Sequence, residues 1–105
     1  MVKKELPVLW SDEAKDSLKY IFNYVKRNSP DNAQKVKQTI LKIAATLNFY
    51  PEKFPRDPFL LDSKRNFRFF PKWSYKIVYE VTDKAVIIID VFHAKQHPDK
   101  LKKKD

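Results

Sequence analysis

The chain has 105 residues, 43% of them hydrophobic and 14% aromatic, enough to bury the core of one small domain and too apolar for a disordered segment. It contains no cysteine, which excludes disulfides and thiolate metal sites and leaves the redox compartment open. It also contains no glycine, which removes the Gly-rich phosphate loops of the Walker and dinucleotide types, and its net charge of +9 directs attention to polyanions or an acidic protein partner.

In chain order, Pro7 to Trp10 reads as a short strand. Ser11 can cap a helix with its hydroxyl, and Asp12 and Glu13 put negative charge in the first turn, where the helix dipole favours it. Ala14, Leu18, Ile21, Phe22 and Val25 recur at helical spacing, and the helix is expected to stop near Asn28. Ser29 and Pro30 repeat the start signal, a capping hydroxyl followed by proline at the first helical position. Ala33, Val36, Ile40, Ile43, Ala44 and Leu47 form the second apolar stripe, so two antiparallel helices joined by a short turn are expected, the second ending at Tyr50-Pro51.

Pro51, Pro55 and Pro58 divide a loop whose Phe54, Phe59, Leu60 and Leu61 predict that it packs down. Asn66 to Phe70 reads as a strand and Pro71-Lys72 as a turn. Tyr75, Ile77, Tyr79 and Val81 then alternate with Lys76 and Glu80, Thr82-Asp83-Lys84 interrupts, and Val86 to Phe92 resumes as a nearly continuous apolar run, an antiparallel hairpin with a deeply buried second strand. The expectation is a single α+β domain over residues 1–98, with a mostly antiparallel sheet carrying the helical hairpin on one face, and a basic tail over 99–105. Val78, Ile87 and Ile89 give the sheet apolar residues on its other face as well, so a partner is expected to finish part of it. No run reaches the roughly 18 apolar residues of a membrane span and the N-terminus has no hydrophobic signal core, so a soluble, cytoplasmic protein is expected.

The opening Trp10-Ser11-x-x-Ala14, the strand Tyr75 to Val81 (YKIVYEV) and the ending Val91-x-His93-Ala94-Lys95 resemble the RelE/ParE superfamily of toxins from type II toxin–antitoxin systems, from about Val8 to Lys95. The resemblance implies an N-terminal strand, a two-helix antiparallel hairpin and a three-stranded antiparallel sheet. It also implies a cognate antitoxin whose extended C-terminal segment wraps the toxin. The ParE (plasmid stabilisation) branch implies inhibition of DNA gyrase by binding; the RelE branch implies a ribosome-dependent, metal-independent endoribonuclease acting on messenger RNA. Under that alternative the catalytic residues would be Arg68, Lys76, His93 and Lys95, cations for phosphate and a histidine for proton transfer.

The match to the ribonuclease pattern is incomplete. Lys76 stands where the family has a middle-strand arginine, which keeps the charge and loses bidentate phosphate binding. Gln96 follows Lys95 where a second cation is usual, and the Lys-rich tail has no tyrosine. These departures favour the ParE reading. His93 and His97, flanked by Asp90 and Asp99, invite a metal reading, but the strand before His93 and Pro98 deny them a shared helical face, and no metal or cofactor is expected. Arg65 and Arg68 are read equally well as a surface pair bonded to Asp62 or Glu80.

Overall fold

The computed structural model describes residues 5–61 and 64–93. The α+β architecture expected from the sequence is present. A short strand, β1 (Val8–Trp10), leads into helices α1 (Asp12–Lys26) and α2 (Pro30–Ala45), a 3-10 turn (Thr46–Asn48), a long loop, and strands β2 (Asn66–Lys72), β3 (Tyr75–Val81) and β4 (Val86–His93). The four strands form one sheet in the order β1-β4-β3-β2. β2, β3 and β4 run antiparallel as a meander, and β1 joins beside β4 in parallel.

Both helices start where their capping serines stand. The Ser11 hydroxyl accepts from the Ala14 amide at 3.0 Å and donates to the Ile89 carbonyl at 2.9 Å, so one side chain starts α1 and pins it to β4. Ser29 accepts from the Asn32 amide at 3.2 Å, with Pro30 opening α2. The α-helical stretch of α2 ends at Ala45, earlier than the proline at position 51 suggests. The Thr46 hydroxyl donates to the Ile43 carbonyl at 2.7 Å, and its amide reaches Ile43 and Ala44, tightening the last turn into 3-10 geometry.

The apolar stripes of α1 and α2 meet one face of the sheet. Leu18, Ile21, Ile40, Ala44 and Leu47 pack there with Phe70, Ile77, Tyr79, Ile88 and Val91 in the main core. Phe70 is tilted against Phe54 and Tyr79, with ring centroids 5.1 and 6.4 Å away. A bulge breaks the register between β3 and β4: Val78 pairs with Asp90 and Tyr79 with Ile88, leaving Ile89 without a cross-strand partner. The buried Asp90 carboxylate takes a hydrogen bond from the Ser17 hydroxyl of α1 at 2.6 Å and one from the Val91 amide at 2.9 Å.

One turn lies elsewhere than the sequence suggests. Pro71 and Lys72 are the last residues of β2, paired with Lys76 and Tyr75, and the chain reverses at Trp73-Ser74. β2 is the outer strand of the sheet, so the amide that Pro71 lacks leaves no ladder bond unmade. The reversal needs positive φ, and in a chain without glycine Trp73 supplies it at 52°. Trp73 is exposed, with the Lys72 ammonium 4.9 Å from its ring.

Candidate functional site

The loop between α2 and β2 decides what the cations of the sheet can do. Its start lies at the helix-covered face, where the Tyr79 hydroxyl donates to the Pro51 carbonyl at 2.8 Å. It then runs beside β2: the Phe69 amide donates to the Pro55 carbonyl at 3.2 Å and the Asp57 amide to the Phe67 carbonyl at 2.9 Å. Past that edge it folds over the opposite face, where Leu60 packs with Phe67, Val78 and Phe92. Of the four apolar loop residues expected to pack down, Leu60 is buried on this face and closes part of the surface for which the sequence leads one to expect a partner, and Phe54 packs against the main core, while Phe59 and Leu61 are exposed. Ile87 and Ile89 remain half-buried, and Leu9 of β1 is exposed.

Asp57 is the hub of this loop. Its carboxylate is fully buried; Oδ1 accepts from the Phe59 amide at 2.8 Å, making an Asx turn, and Oδ2 lies 3.0 Å from the Lys76 ammonium. The Oδ2 atom has no bond of good hydrogen-bond geometry, so its contact with Lys76 is chiefly one of charge. Lys76 reaches it from β3 with only 13% of its side chain exposed, boxed by the rings of Phe59, Phe69 and Phe92 at 4.8, 4.7 and 6.0 Å. Further along the same face, Glu80 takes a two-pronged pair of bonds from Arg65, both at 2.8 Å. Glu80 is thus the partner that the sequence suggests for Arg65.

Arg68 leaves the sheet on the other side. It pairs with Tyr79, three residues from Lys76 on the same strand, so the pleat sends Arg68 and Lys76 to opposite faces. Its guanidinium donates to the Phe54 carbonyl at 2.7 Å and the Asn66 side chain at 3.0 Å, and meets Glu52 at 3.4 Å. These bonds tie down the loop's first turn, with partners other than the Asp62 or Glu80 considered from sequence.

His93 ends β4 opposite Tyr75, its ring edge-on to the tyrosine at 5.9 Å. Tyr75 and Tyr79 are four residues apart on β3, so His93 and Arg68 are separated by roughly 13 Å along the strands alone. Lys95, like Gln96, His97 and Asp99, lies outside the described residues. Arg68, Lys76 and His93 therefore do not converge: His93, paired with Tyr75 next to Lys76, is on the opposite face from Lys76 by the pleat, and it lies roughly 13 Å along the strands from Arg68. Among the described residues no group of His, Asp and Glu is arranged to hold a metal ion. The role of Asp57 was missed in the sequence, where a lone acid beside a proline gives no sign of its distant lysine.

Burial pushes the Tyr79 hydroxyl up to about 12, and burial followed by the nearby Tyr24 raises Tyr75. A raised acid group favours the folded state while both states are protonated; unfolded tyrosine ionises near 10 and the folded one near 12, so stability is lost as pH climbs through that window. Chemical denaturation at rising pH is expected to show Tyr79→Phe losing less stability than the parent between pH 10 and 12, by about 2 kcal/mol.

With this geometry in hand, comparison with known proteins identifies the relatives. The model of the ParE toxin of the type II toxin–antitoxin system parDE matches residues 8–98. The chain belongs to the ParE toxin family. The fold of this ParE-family chain is similar to a solved structure described as the chromosomal ParDE toxin–antitoxin system from P. aeruginosa, with a TM-score of 0.69. The two share 20% identity over 85% of this chain and 96% of the other. No curated protein sequence matches. Membership implies an antitoxin partner. No helix among the described residues is long and apolar enough to cross a membrane.

Proposed function

We propose that this ParE-family toxin acts in the cytoplasm by binding DNA gyrase, without chemistry of its own, and that a cognate antitoxin neutralises it. The observation that carries this reading is the dispersal of the cations. A metal-independent ribonuclease must hold one phosphate between a charge and a proton donor within hydrogen-bond reach. Here Lys76 is boxed against Asp57, Arg68 holds the loop from the opposite face, and His93 stands at the end of the sheet. Such an arrangement suits recognition through surface, charge and shape.

Pulse-labelling of DNA and protein synthesis just after induction of the chain alone tests the reading. DNA synthesis is expected to fall first, and His93→Ala is expected to arrest growth as the parent does. Early loss of translation, abolished by His93→Ala, would instead establish the messenger RNA endoribonuclease.

A further inference from the structure

α1 carries Asp16, Tyr20 and Tyr24 at four-residue spacing, so the three side chains form one stripe of the helix. All three are exposed, and the two tyrosine rings lie nearly parallel, with centroids 6.4 Å apart and planes 23° from each other. The stripe borders the corner of the sheet where β3 begins and β4 ends. There Tyr75 and His93 are cross-strand partners in edge-on contact, and Ser17 donates from α1 to the buried Asp90 carboxylate at 2.6 Å. With Ser17, Tyr75 and His93, the stripe lines a pocket of about 640 Å³ over the buried Ile21.

The lining is opposite in sign to the rest of the chain. Of the 22 lysines and arginines in the sequence, none of those described lines this pocket, while the Asp16 carboxylate does and the Asp90 carboxylate lies behind Ser17. Asp16 forms no ion pair among the described residues. The face of a tyrosine ring is the negative end of its quadrupole and attracts a cation. Tyr24 already takes one in this way, with the Arg27 guanidinium 5.9 Å from its ring. Aromatic faces beside a carboxylate match a charge spread over a flat or partly apolar group, a guanidinium or an alkylammonium. A phosphate would be repelled by Asp16, and a purely apolar group would take water from that carboxylate and give nothing back.

We propose that this pocket binds an organic cation, a guanidinium or alkylammonium group seated on the Tyr20 and Tyr24 rings with its charge toward Asp16. The site stands apart from the gyrase-binding reading. Such a group comes either from a free polyamine or from an arginine side chain of another protein. The two probes are spermidine and N-acetylarginine amide, each titrated at constant ionic strength and followed by NMR of the tyrosine ring protons. Saturable shifts at Tyr20 and Tyr24 are expected, with a dissociation constant of order 1 mM for at least one probe, and the probe's methylene protons beside the charge are expected to move upfield. The double variant Y20L/Y24L is expected to weaken binding by about tenfold and D16N by about threefold. D83N, the same change in charge at an exposed position in the turn between β3 and β4, keeps parental affinity. The substituted positions are all exposed, and unchanged amide spectra away from the pocket establish that the variants fold.

Tighter binding of spermidine would support the site and assign it to a free polyamine; tighter binding of the arginine amide would support it and assign it to a protein side chain. N-acetylcitrulline amide, the neutral isostere of the second probe, is expected not to bind, and affinity equal to that of the arginine amide would overturn the cation assignment. Equal weakening by D16N and D83N would overturn it as well, since binding would then read net charge alone. Shifts that saturate with neither probe would overturn the site itself.

Discussion

Asp57→Ala is expected to destabilise the domain by about 3 to 5 kcal/mol, read as a fall in the urea midpoint with little change in slope. The variant leaves the Lys76 ammonium among three phenylalanine rings with no carboxylate beside it and removes the acceptor for the Phe59 amide. Cation–π attraction, of order 1 to 2 kcal/mol for a desolvated site, offsets only part of that loss. Asp57→Asn separates the two contributions, because its side-chain oxygen keeps the Asx turn while the charge is gone; it is expected to fall between parent and Asp57→Ala. Combining Asp57→Ala with Lys76→Met removes both charges, and the double variant is expected to be more stable than Asp57→Ala alone. A double variant no better than the single one would show that the turn, and not the ion pair, carries the effect.

This pair also shows where the sequence stops being informative. The helices are legible because their signals are local: Ser11 and Ser29 lie one residue before the helices they cap, and the apolar stripes repeat within each segment. The last strand is legible because Val86 to Phe92 is nearly all apolar, as a strand covered on both faces must be. The parallel placement of β1 beside β4 depends on contacts nearly eighty residues apart, such as Ser11 to the Ile89 carbonyl, which no local pattern encodes. The turn at Trp73-Ser74 was hidden for a different reason. Proline marks turns in general, but an outer strand tolerates it, so Pro71 drew the reading two residues too early.

Among the candidate functional residues, charge was legible and direction was not. Arg68 and Lys76 both read as sheet cations, yet the register that pairs Arg68 with Tyr79 and Lys76 with Pro71 sends them to opposite faces. A loop that crosses the β2 edge then supplies each with partners, Glu52 and the Phe54 carbonyl on one side and Asp57 on the other. The lysines that line the groove beside β1, Lys15, Lys19 and Lys37, lie on the helices, away from the strands where the resemblance places catalytic charge.

Phe70→Ala is expected to cost about 3 to 5 kcal/mol, the range for emptying a fully buried aromatic site. The ring lies between Phe54 of the loop and Tyr79 of β3, so the cavity opens where the loop's first turn meets the core. Two polar ties share that place, the Tyr79 hydroxyl on the Pro51 carbonyl and the Arg68 guanidinium on the Phe54 carbonyl. Collapse of Phe54 into the space would drag both. The variant is therefore expected to speed hydrogen exchange at the Phe69 and Asp57 amides, which bond across the loop and β2 edge, more than at the Ser29-capped start of α2. Asp57→Ala loosens the same loop from the opposite face, so the two variants are expected to be non-additive, each costing less in the presence of the other. Strict additivity would show that the loop is held at two independent points instead of acting as one strap around the sheet edge.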